Sequence, residues 1–214
     1  MSSALQPRLS DALARNNAFV LYRKPGQTTV RAMFATGSGA DNAGDSFVFA
    51  PFASGREFLL QASRCDVFDF PQPDVDFIPA TPELAFDAGA KHDFEQIVAK
   101  ALEAIHNNHF EKVVLSRKET VVISAPVFDI FSRLLQLYPD AFVSVWNHRE
   151  TGCWIGATPE RLLKGREQHF ETMALAGTQA YQGADVVEWP QKEQQEQRLV
   201  TDYIWNTLEP LTKS

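Results

Sequence analysis

Ala18-Phe-Val-Leu-Tyr22, then Pro25-Gly26, then an apolar return from Thr28 to Phe34 constrain this chain more than any other stretch. Two strand-type runs joined by a Pro-Gly turn spell a β-hairpin over 17–36. A tight turn can only join antiparallel neighbours, because parallel strands need a crossover of a dozen or more residues. Ser46-Phe-Val-Phe-Ala50 reads as a further strand, stopped by Pro51. Residues 70–92 are rich in Pro, Asp and Ala and read as a connecting loop.

Downstream, Phe94, Ile97, Val98, Ala101 and Ile105 recur at helical spacing, which predicts a helix over about 93–109. Val113-Val-Leu115 and Thr120-Val-Val-Ile123 read as one interrupted strand. A second helix follows Pro126, with Phe128, Phe131, Leu134 and Leu135 on one side. Ala141–Trp146 and Cys153–Gly156 form a second hairpin around the polar 147–152 segment, and His169–Leu175 is a further strand. A last helix starts near Pro190, a favoured first-turn residue, with Leu199, Val200, Tyr203, Ile204 and Leu208 as its apolar face. Strands and helices do not alternate regularly, so a doubly wound parallel sheet is disfavoured. The expected class is α+β, a mostly antiparallel sheet with packed helices.

The formal net charge of −7 and the absence of basic runs longer than a pair argue against a nucleic-acid partner, which needs clustered Lys and Arg. No stretch of about 18 apolar residues suggests a membrane span. Met1-Ser2-Ser3-Ala4 does not open a secretory signal. Cys65 and Cys153 are in no metal-type spacing and read as small apolar residues, so a cytoplasmic setting is the expectation.

Four short tracts bear chemistry. Lys112, in Phe110-Glu-Lys-Val-Val-Leu-Ser-Arg117, precedes apolar residues; desolvation there makes a general base, and the alternative is a plain surface lysine. Glu160, in Gly156-Ala-Thr-Pro-Glu-Arg-Leu-Leu163, is a general acid if buried and a helix-start carboxylate if not. Gly177 and Thr178, in Leu175-Ala-Gly-Thr178, expose backbone N–H groups that can hold an anion or simply make a turn. Glu193 and Glu196 share a helix face in Lys192-Glu-Gln-Gln-Glu-Gln197. There they can hold a hard cation such as Mg²⁺, or form a solvated face with a Lys192–Glu196 pair.

In combination and order, these tracts resemble the successive motifs of the chorismate-utilising enzymes, closest to isochorismate synthase; the resemblance covers 92–210. It implies that residues 1–90 are the variable N-terminal strands of a two-layer fold, and 91–214 the first part of its catalytic region. It implies Lys112 as the base that activates water and Glu160 as the acid. It implies Ala176, Gly177 and Thr178 beside the substrate, and Glu196 with Glu193 on Mg²⁺. Ala176 stands where some aminodeoxychorismate synthases carry a nucleophilic lysine, so that adduct is closed to this chain. Gln197 stands where many members have His. The implied reaction converts chorismate to isochorismate, with salicylate synthase and a non-catalytic binding or assembly module as alternatives. Both menaquinone and siderophore biosynthesis stay open as destinations. The family's catalytic domain continues past these motifs. The isolated chain is therefore expected to be weakly active, and to associate with itself or with a complementary C-terminal fragment.

Overall fold

The computed structural model describes residues 2–37, 44–74, 87–180, 183 and 187–212. In chain order the elements are α1 (Ser2–Ala14), β1 (Phe19–Arg23), β2 (Thr29–Ala35), β3 (Ser46–Phe49), β4 (Phe58–Gln61), β5 (Cys65–Pro71) and α2 (Ala88–His106). They continue with α3 (Val127–Leu137), β6 (Phe142–His148), β7 (Gly152–Thr158), β8 (Lys164–Arg166), β9 (His169–Glu171) and α4 (Gln191–Leu208). Two compact units interleave along the sequence: Met1–Pro79 with Ile123–Glu160, and Ala80–Val122 with Arg161–Ser214. Among the described residues all strand pairings are antiparallel, so the α+β class read from the sequence is the class observed.

The first unit is built on a five-stranded sheet of order β5-β2-β1-β6-β7. The Pro25-Gly26 hairpin is present. Gln27 N–H donates to Lys24 O across the turn (3.2 Å), and Gly26 takes φ 68°, the left-handed region that a residue without Cβ enters freely. Strand β1 is buried along its whole length because both sheet faces are covered. Phe19 and Leu21 point into a core with α1 and α3, through Leu5, Leu9, Phe128, Phe131 and Leu135. Val20 and Tyr22 point the other way, into a cluster with Met33 and Trp146 against which Phe47, Phe49 and Phe58 of the β3–β4 hairpin pack. This is the period-two alternation of a strand with a layer on each side. Arg23, at the end of β1, is buried; its guanidinium donates to the carbonyls of Tyr138 and Ala141 (2.9 Å to the latter), tying down the turn after α3.

Helix α1 goes beyond the sequence reading. Its buried residues Leu5, Leu9 and Ala12 follow the i, i+4, i+7 rule; the signal is present but short, in a segment interrupted by Pro7. Strands β4 and β5 also escape the sequence reading. Part of the proposed 70–92 loop, residues 75–86, lies outside the described residues.

In the second unit, α2 is capped by Asp87, whose side chain accepts the Ala90 N–H (3.0 Å), a carboxylate cap on an otherwise orphan donor. Strands β8 and β9 form a small hairpin. The interrupted strand expected over 113–123 is not formed. No described strand pairs with it, and Val114, Val121 and Val122 are exposed. β-branched residues favour an extended chain, but a strand needs a neighbour for its N–H and C=O groups. Likewise β9 covers only His169–Glu171 of the expected 169–175 strand. Among the described residues, every buried one belongs to the first unit; the second unit shows partly covered and exposed apolar side chains instead. No helix among the described residues is long and apolar enough to cross a membrane.

Candidate functional site

Helix α4 organises the site. Pro190, with φ −57° and ψ 148°, sets the chain for the first helical turn. Lys192, Glu193, Glu196 and Gln197 then fall on its first two turns, the 193/196 and 192/196 pairs at the three- and four-residue spacings that bring side chains together. Each finds a partner inside the second unit.

Gln197 spans the tract that precedes the helix. Its Oε1 accepts the Ala176 N–H (3.0 Å), and its Nε2 donates to Ala174 O (2.7 Å). One side-chain amide thus supplies the donor and the acceptor that a neighbouring strand would have supplied. One turn earlier, Glu193 Oε2 accepts the Thr178 N–H (2.9 Å). Between these anchors Gly177 lies against the helix: a Cβ built there would stand 2.9 Å from Glu193 O and 3.2 Å from Glu193 Cβ. A side chain at 177 is excluded by sterics. The anchored Leu175–Thr178 segment runs along α4 without being a strand.

Lys112 reaches the same helix. Its Nζ donates to Glu196 Oε1 (2.9 Å), with the two side chains 22% and 24% exposed. Lys192, with 75% of its side chain exposed, donates to Glu193 Oε1 (2.8 Å) and Glu196 Oε2 (3.0 Å). Hydrogen bonding from Lys192, then from the Thr178 N–H, holds the Glu193 carboxyl below its ordinary range. Hydrogen bonding from Lys112, then from Lys192, does the same for Glu196. The carboxylates in return push Lys192 up, Glu193 foremost. Both glutamates are therefore ionised at neutral pH.

The structure gathers six of the seven residues expected from the sequence: Lys112, Ala176, Gly177, Thr178, Glu193 and Glu196. Glu160 belongs to the first unit. It follows β7, is exposed, and its backbone N–H donates to Thr158 Oγ1 (3.2 Å). Val113 and Val114 after Lys112 are themselves exposed, so they form no buried apolar run beside this lysine, whose partner is Glu196. Gln197 is the residue whose role the sequence left undefined. No residue pattern marks that role, because it depends on where the 174–176 backbone settles against the helix.

Glu193 and Glu196 also pass a test of fit for a hard divalent cation. Both are oxygen donors, both are ionised, and one ammonium already bridges them. Among the described residues no third His, Cys, Asp or Glu joins them. That donor set matches Mg²⁺, which commonly takes one or two carboxylates and completes its octahedron with water and ligand oxygens.

Residues 84–214 match the family model described as chorismate binding enzyme. The chain is 30% identical over 139 residues to the salicylate biosynthesis isochorismate synthase of Pseudomonas aeruginosa, covering 59% of this chain and 29% of that protein. It is 30% identical over 128 residues to a putative isochorismate synthase of Aeromonas hydrophila, covering 55% and 32%. It is also 32% identical over 95 residues to anthranilate synthase component 1 of Saccharolobus solfataricus, covering 44% and 22%. These alignments span about a fifth to a third of each relative's length. No solved structure matches the chain. The family match takes in Lys112, Glu160, the 174–178 tract and all of α4, more than half of the chain, and the chain belongs to the chorismate-binding enzymes.

Proposed function

We propose that this chain carries the acid–base part of an isochorismate synthase, acting on chorismate with Mg²⁺. The observation that supports it most is the Lys112–Glu196 ion pair beside the anchored Ala176–Thr178 segment. It sets a lysine next to a cation-type carboxylate and a backbone tract fit to line a substrate. Mg²⁺ held by Glu193 and Glu196 would neutralise the ring carboxylate of chorismate.

The chain's own groups do the rest. Lys112, once its ammonium has released a proton to solvent, takes a proton from the water that attacks C2. The ring double bonds shift, and the C4 oxygen takes up a proton and leaves as water; the acid of that step is the role the family resemblance implies for Glu160. One water enters and one leaves, so the reaction is an isomerisation. Gln197 and Gly177 keep the substrate-lining segment against α4.

Two relatives named isochorismate synthase favour this product, whereas the relatives named anthranilate synthase align over fewer residues. Salicylate formation, which adds loss of pyruvate, is the nearest alternative. Incubation with chorismate and Mg²⁺, with and without ammonia, followed by liquid chromatography and mass spectrometry, separates these outcomes. Isochorismate is expected with no requirement for ammonia. Salicylate with pyruvate, or ammonia-dependent anthranilate, would replace the assignment.

A further inference from the structure

All four carboxylate oxygens of the Glu193–Glu196 pair already have a protein donor. Glu193 Oε2 has the Thr178 N–H and Glu196 Oε1 has Lys112 Nζ. Glu193 Oε1 and Glu196 Oε2 share the single ammonium of Lys192, at 2.8 and 3.0 Å. The first two donors are held in place. Thr178 follows a segment clamped by Gln197 and by the close approach of Gly177, and the Lys112 side chain is mostly covered. Lys192 is the exception, an exposed lysine on a flexible four-carbon stem whose charge would remain solvated if it swung away.

We propose that Lys192 is the internal counter-cation of this site. In the metal-free protein its ammonium sits between the two carboxylates and keeps them convergent, and it must leave before a divalent cation can bind them. The inference rests on the reading of Glu193 and Glu196 as cation ligands. Two oxygens aimed at one nitrogen are aimed at one point, so the ammonium marks where a cation would enter. Its 2.8–3.0 Å contacts are longer than the roughly 2.0–2.1 Å of Mg²⁺–oxygen bonds, so the carboxylates must close in as the ammonium departs. Lys192 thereby weakens cation binding by competition while preserving the arrangement that makes the binding possible. Because exposed ion pairs are weak and screened by salt, the competition is modest and falls as ionic strength rises.

Mn²⁺, which shares the preference of Mg²⁺ for oxygen ligands in octahedral geometry, is the probe. Its binding to the whole 214-residue chain is followed by loss of the free-ion electron paramagnetic resonance signal, with Mg²⁺ as competitor. Lys192→Met is expected to tighten Mn²⁺ binding by roughly two- to fivefold at low salt, the size of effect that exposed ion pairs allow. Lys192→Arg, which keeps the charge, should stay near the wild-type affinity. Lys164→Met removes a lysine paired with Glu171, outside the cluster, and should change nothing. Glu196→Gln should lose the site.

Unchanged or weaker binding by Lys192→Met, in a protein whose wild-type binding is lost in Glu196→Gln, overturns this inference alone. Equal tightening by Lys164→Met overturns it as well, because the effect would then be one of net charge. No saturable Mn²⁺ binding to the wild type or to any variant overturns both this inference and the cation site on which it rests.

Discussion

Replacing Lys112 by Ala is expected to lower conversion of chorismate by at least about a hundredfold relative to the same preparation with Lys112 intact, the lower end of what a positioned general base contributes. The cluster itself should survive: without a cation Glu196 keeps the Lys192 ammonium at 3.0 Å, and with a cation bound the cation takes that place, so no carboxylate is left without a partner. The loss would therefore be chemical and not structural. Lys112→Arg distinguishes base from counter-ion. Arginine can keep the ion pair with Glu196, but its guanidinium does not deprotonate in proteins. Both variants should be inactive, with Arg retaining the fold and the pairing. Recovery of activity in Lys112→Arg, followed by steady-state product analysis, would make the ion pair the function of this residue and leave the base unassigned.

Gly177→Ala is expected to detach the 174–178 segment from α4. The added Cβ would meet a backbone carbonyl, Glu193 O, at 2.9 Å, and a carbonyl within a helix cannot rotate aside as a flexible side chain would. Overpacking of this kind costs about 1–3 kcal/mol. Part of that cost should appear as breakage of the two hydrogen bonds flanking residue 177, Ala176 N–H to Gln197 and Thr178 N–H to Glu193. Amide hydrogen exchange reads this directly. Residues 176 and 178 should be protected in the wild type and lose protection in the variant, while β1 and β6 of the first unit stay unchanged. Retained protection at both amides would mean that the segment adapts without leaving the helix.

The parts of the fold that sequence made legible are those with a complete local signal. The Pro25-Gly26 turn, the Phe128/Phe131/Leu135 face of α3 and the polar break between β6 and β7 each state their geometry within a dozen residues. The 113–123 segment has strand-forming residues, but strand formation is decided by a partner that local composition does not carry. Helix α1 has the right spacing at Leu5, Leu9 and Ala12, yet only three such positions. The candidate site divides in the same way. The Lys192–Glu196 pair follows from helical spacing alone, whereas Lys112 meets Glu196 across 84 residues. The resemblance in motif order puts both residues in one site but does not name their contact. The Gln197 clamp depends on where the 174–176 backbone settles, which no residue pattern announces. Resemblance also named Glu160, which the structure places in the other unit.

The most direct test of the account is calorimetric titration of the chain with chorismate, with and without Mg²⁺, beside the Glu196→Gln variant. Saturable chorismate binding that requires Mg²⁺ and is lost in Glu196→Gln is expected. Binding that is equally strong without Mg²⁺ and undiminished in the variant would contradict it.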